Sequence, residues 1–146
     1  MNSADIVSRF ASKDSHAIWL ATWEILRSKD RLELAKLRPH IPELERILSQ
    51  VELGGMFHRN QEDTINAFRH IEDMCSGLCH CVRYPGQNLL DPRNEERHDL
   101  VKVTATEIRQ DLYEAHLQAH CTECGRHFFV REVIGWHMPW YEWKVL

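Results

Sequence analysis

Cys121-Thr-Glu-Cys124-Gly125, followed by Arg-His-Phe-Phe-Val, constrains this chain more than any other stretch. Two cysteines three apart can aim both sulfurs at one metal ion as the chain reverses. The glycine after them lets the backbone fold under that ion with positive φ. The pattern is a zinc knuckle at the tip of a β-hairpin, and a knuckle supplies half of a tetrahedral site. The other half is expected from Leu78-Cys79-His80-Cys81-Val82. On a strand, side chains at i and i+2 share a face, so Cys79 and Cys81 would point together and His80 away. Cys75 with Cys79 has the more usual spacing but would leave Cys81 over; Cys75, or His120 beside the knuckle, is the substitute ligand. Four thiolates leave the ion no open position, so one structural Zn2+ per chain is expected on Cys79, Cys81, Cys121 and Cys124.

The compartment argument agrees. Met-Asn-Ser-Ala-Asp-Ile has no basic stretch followed by an apolar one, and the apolar run from Ala17 to Trp23 is far too short to span a bilayer. A soluble cytoplasmic protein is expected, in which clustered cysteines read as metal ligands before disulfides. Net charge is −4, and each side of Met74 carries two more acidic than basic residues. No basic arm is present, which argues against general nucleic-acid binding.

Residues 1–74 read as helices. Residues 3–11 make a short one. A second opens near Asp14 or Ser15 and runs to Leu26, with Ile18, Thr22, Ile25 and Leu26 on one face and Trp19 and Trp23 beside it, as in a helix covered on several sides. Asp30 with Glu33 has the form of a capping box. Pro39 or Pro42 starts the next helix, whose Ile41, Leu44, Leu48 and Val51 form a stripe before Gly54-Gly55 ends it. Asn60 is expected to cap the last, with Thr64, Ala67, Phe68 and Ile71 at helical spacing. Short helices of this kind suit HEAT-like hairpins or an irregular bundle.

Over 75–146 the period changes to two. Strands are expected over 78–84, 100–107, 111–120 and 128–134, with 87–99 an exposed polar loop and the aromatic tail extending the sheet. The fold class is therefore α+β: a helical subdomain over 1–74 and a small antiparallel, zinc-stapled β subdomain over 75–146, forming one compact unit. The tail, Gly135 to Trp143, places Trp136, Trp140, Tyr141 and Trp143 close together. Those rings either complete a thin core or form a partner patch, since Trp and Tyr dominate interface hot spots.

Two enzymatic patterns are weak. His70-Ile-Glu72 with Cys121 and Cys124 is similar to the zinc nucleotide deaminases. However, His120 stands where a Pro belongs, a strand follows the cysteines where a helix belongs, and Cys79 and Cys81 have no role there. Arg93 and His98 match the spacing in some helical ribonucleases, but they lie among acidic residues. No catalytic residue is assigned.

Taken together, Trp19 to Leu26, Leu53-Gly54-Gly55, Cys79-His80-Cys81, Cys121 to Gly125 and Trp136 to Trp143 give a layout that resembles small bacterial immunity proteins. The resemblance implies a non-enzymatic inhibitor that binds a basic secreted toxin and has no membrane role. Asp91, Glu95, Glu96 and Asp99 in the polar loop are then candidate contacts, together with Trp140, Tyr141 and Trp143. The alternatives are a nucleic-acid-binding zinc ribbon and a zinc hydrolase or deaminase.

Overall fold

The computed structural model describes residues 1–56, 58–135 and 137–146, so Trp136 lies outside the described residues. It is an α+β chain, helices first and a four-stranded antiparallel sheet after. It divides into two compact units, Met1–His80 and Cys81–Leu146, a boundary six residues beyond the expected one.

In the first unit, short polar side chains set the helix starts. Asn2 accepts from the Asp5 amide ahead of α1 (Ser3–Ala11), and Asp14 from the Ala17 amide ahead of α2 (Ser15–Arg27). Asp30 accepts from the Leu32 and Glu33 amides at the start of α3 (Arg31–Leu37). Each satisfies donors that the first helical turn leaves unpaired. Glu33 does not close the capping box, because its carboxylate instead takes the Ser3 amide at 2.8 Å. A 3-10 turn through Pro39 leads into α4 (Ile41–Leu48), and Val51 falls just beyond that helix. The last helix, α5 (Asn60–Cys75), begins with Asn60 inside its first turn and Arg59 in the cap position, and the Asn60 side-chain amide donates to the Leu53 carbonyl at 2.9 Å.

The core of this unit gathers Ile6, Phe10, Ile18, Leu34, Leu44 and Ile71, with α5 packed on α2 and α3, and α1 on α2, α3 and α4. Phe10 meets Phe68 with ring centroids 5.9 Å apart, and the buried Thr22 and Thr64 hydroxyls share a bond of 2.9 Å. Trp19 and Trp23 are only half-buried and pack edge to face, so α2 is not covered all round as expected. Gly77, with φ of 86°, terminates α5, and the Leu78 amide returns to the Asp73 carbonyl as in a Schellman stop.

In the second unit, β1 (Val101–Arg109), β2 (Glu114–Cys121), β3 (His127–Ile134) and β4 (Pro139–Val145) follow one another as an antiparallel meander. One bulge, at Thr104, shifts the β1–β2 register. One side of the sheet carries Leu117, Ala119, Phe128, Val130, Tyr141 and Trp143, all buried, together with Tyr84 and Leu100. Tyr84 stacks on Trp143 at 4.3 Å between centroids, and Phe128 stands edge-on to both rings. The Trp143 indole donates to the Leu90 carbonyl, and the Tyr141 amide to the Asn88 carbonyl.

Two sequence expectations are corrected in this unit. Residues 78–84 form no strand; His80–Arg83 is a 3-10 turn. The polar loop contains a helix, α6 (Pro92–Arg97), with Asp91 accepting from the Arg93 amide and Pro92 at its first position. Asp-Pro is a recognised helix opening, so this signal was present in the sequence.

Candidate metal centre

The knuckle is built as its sequence requires. Cys121 ends β2, its amide donates to the Arg126 carbonyl at 2.9 Å, and the Gly125 amide returns to the Cys121 carbonyl at 3.0 Å. Gly125 has φ of 73°, the left-handed conformation that favours glycine. The Thr122 hydroxyl ties the turn to the Asp99 carbonyl at 2.7 Å.

The second pair comes from the segment after α5. On a strand, Cys79 and Cys81 would sit about 6.7 Å apart along the chain. Sulfurs about 2.3 Å from one zinc ion are only about 3.8 Å from each other. The 3-10 turn shortens the spacing and brings Cys79 and Cys81 beside the knuckle cysteines, not through the strand expected. The Sγ atoms of Cys79, Cys81, Cys121 and Cys124 all lie within 4.8 Å of one another, with Cys81 and Cys124 at 3.5 Å. Cys81 and Cys121 are buried, Cys79 is half-buried and Cys124 exposed. These four residues can hold a metal ion.

Neither substitute ligand joins them. Cys75 packs against the helical core, and the His120 ring faces His127 across the strands at 5.7 Å. His80, expected to point away, lies buried with Nδ1 3.7 Å from the Cys79 sulfur. It is placed to support a thiolate from outside the ligand set. Sequence reasoning missed that role because it assumed a strand; the signal was a histidine between two cysteines. Cys79, His80 and Glu123 form an overlapping mixed set. A soft thiolate set is the better zinc donor, and Glu123 is exposed. His70 does not belong to the cysteine cluster: it is buried in α5 and donates through Nε2 to the Ser28 carbonyl at 3.0 Å.

The candidate partner residues divide sharply. Glu95 is fully buried; its Oε2 accepts from Arg83 at 2.6 Å and from the Tyr84 hydroxyl at 3.0 Å. Burial, then the Glu95 charge, raise the Tyr84 phenol far above its ordinary value. Tyr141 and Trp143 are buried in the sheet core. As contact residues these three are withdrawn, because their side chains make the unit's interior. Asp91 caps α6 and pairs with Arg93. Glu96 accepts from Lys102 and the Val103 amide, which together hold its carboxyl below the ordinary value. Asp99 is exposed in a left-handed turn, and Trp140 is exposed on β4.

Among known proteins, no family model, no curated protein and no solved structure matches the chain. Its chemistry is therefore read from its own geometry. No helix among the described residues is long and apolar enough to cross a membrane.

Proposed function

We propose that this chain is a non-enzymatic protein-binding module whose β unit is stapled by one structural zinc ion, and that it acts as an immunity protein, binding and neutralising a basic bacterial toxin in the cytoplasm. The observation that carries the reading is the all-sulfur donor set, four thiols converging within 4.8 Å. Zinc suits such a set, since it accepts a tetrahedral thiolate shell without a preferred d-electron geometry. A full shell leaves no exchangeable position, so the ion adds folding free energy and takes no part in turnover. The net charge of −4 supports a protein partner of opposite sign over a phosphate backbone.

Two measurements test this. Metal analysis with X-ray absorption on the purified chain is expected to give about one zinc per chain with four sulfurs at about 2.3 Å. Nitrogen or oxygen ligands in place of sulfur would end the closed-site reading. Co-expression with a toxin encoded beside this gene is expected to restore growth through a stoichiometric complex. If the chain fails to protect, the immunity assignment is abandoned.

A further inference from the structure

The four sulfurs of the quartet are not equally placed. Cys81 and Cys121 are buried, Cys79 is half-buried, and Cys124, in the turn between β2 and β3, is exposed. A cysteine that holds a metal ion does so as a thiolate, which is also the form that attacks oxidants. Oxidation follows thiolate character and access, and it is readily reversed where a second sulfur stands close enough to form a disulfide. Cys124 meets both conditions: it is the exposed member of the four, and its Sγ lies 3.5 Å from that of Cys81. A disulfide needs about 2.05 Å, so the two sulfurs must close by about 1.5 Å. The turn has room for that movement, because a Cβ added at Gly125 would meet nothing within 4 Å. Cys81, fully buried in the His80–Arg83 turn, is the fixed partner. A Cys81–Cys124 bond also leaves in place the knuckle's own hydrogen bonds, from the Cys121 amide to Arg126 and from the Gly125 amide to Cys121.

We infer that Cys124 is an oxidation site and Cys81 its resolving partner, so that peroxide exchanges the zinc staple for a reversible disulfide. The Cys124 thiolate attacks one oxygen of hydrogen peroxide; the O–O bond breaks, hydroxide leaves and a sulfenic acid forms. The Cys81 thiolate then attacks the Cys124 sulfur, and the S–O bond breaks as the S–S bond forms, releasing a second hydroxide. The two sulfurs give up two electrons, the peroxide takes them, and both hydroxides are protonated to water. Cys79 and Cys121 remain as half of a tetrahedral shell, too few to retain the ion. Small cellular thiols reverse the bond by exchange, giving their own disulfide and returning both cysteines. The inference rests on the closed zinc site of the binding module and adds an oxidised state in which the β unit has lost its metal.

The test treats the zinc-loaded full chain, purified under nitrogen, with hydrogen peroxide. Released zinc is followed with a chromogenic chelator, thiols are counted after denaturation, and disulfides are mapped by mass spectrometry of peptides. The expected result is release of the zinc in step with a loss of two of the five thiols, and a peptide pair joined through Cys81 and Cys124. Dithiothreitol and added zinc should then restore both the thiols and the metal. Cys124→His keeps three cysteines and one histidine, a set that also binds zinc, and is expected to release it in peroxide about ten-fold more slowly or less. Cys75→Ser, outside the quartet, should release zinc at the wild-type rate. If Cys124→His fails to hold zinc, the mapping on the wild type decides. A first disulfide between any other pair overturns the inference, as does loss of two thiols with the zinc retained, or a Cys124→His site that empties as fast as the wild type. A chain that holds zinc on four sulfurs but resists peroxide loses the oxidation site alone. A chain that binds no zinc brings down the closed-site reading and the oxidation site with it.

Discussion

Replacing Cys121 by Ser removes one of two buried sulfurs in the quartet. Structural zinc contributes about 10–16 kcal/mol to the folding of small domains, so one ligand in four carries about 2.5–4 kcal/mol. The second unit, Cys81–Leu146, is small enough that its whole net stability is expected near 3–10 kcal/mol. Losing one ligand therefore removes a large share of it. The helical core around Phe10, Ile18 and Ile71 contains none of the four cysteines. Cys121→Ser is accordingly expected to bind less than one zinc per chain and to lose the near-ultraviolet dichroism of the Tyr84–Trp143 stack. Most of the far-ultraviolet helical signal should remain. Chelation of the wild type should reproduce both changes. Cys75→Ser, half-buried at the edge of the helical core, is expected to keep its zinc and cost less than about 1 kcal/mol. Thermal melts followed at both wavelengths, with metal analysis on the same samples, check this. A Cys121→Ser protein with full zinc and wild-type melting would refute the reasoning, as would Cys75→Ser losing as much.

Glu95→Ala strands the nearly buried Arg83 guanidinium and is expected to cost about 3–5 kcal/mol in urea unfolding, whereas Glu95→Met with Arg83→Met should recover most of it. Gly125→Ala meets no steric obstacle but must hold φ of 73°, so a loss of about 1–2 kcal/mol with unchanged zinc stoichiometry is expected. Phe10→Ala should cost the helical unit about 3–5 kcal/mol, read from the far-ultraviolet melt, and leave zinc content untouched. The bond from Arg131, then that from His116, lowers the Glu114 carboxyl from its ordinary 4.5 to about 2. Because the folded-state value is the lower one, this stabilisation is present above pH 4.5 and is lost as pH falls from there to about 2. Glu114→Gln should flatten the stability profile across that window; an unchanged acid limb would show that the Arg131 pair contributes nothing.

Much of the fold was legible because its signals are local. Asp14 and Asp30 cap helices by bonding amides two or three residues away, and a substituent that near cannot depend on the rest of the chain. The β2–β3 hairpin is equally local, since Cys121, Cys124 and Gly125 determine one another's positions within a single turn. Where a residue had a distant suitor, the reading failed. Asn60 turned to Leu53, Glu33 to Ser3 and Glu95 inward to Arg83 and Tyr84. An Asp or Glu in a polar stretch looks solvated, and nothing nearby reveals that a buried arginine awaits it.

By itself, the sequence determined the α+β order, the starts of α1, α2 and α3 and the four cysteines able to meet at a metal ion, because capping, periodicity and ligand chemistry act over a few residues. Tertiary structure decided that Cys79 and Cys81 converge through a 3-10 turn, since only the site's other two sulfurs demand so short a spacing. It also decided which aromatic rings are core and which are surface. Trp140 and Trp143 stand three residues apart on β4, yet one faces solvent and the other lies against Tyr84. Strand alternation makes two faces, and only the packing of Tyr84 and Leu90 against one of them determines which is inside.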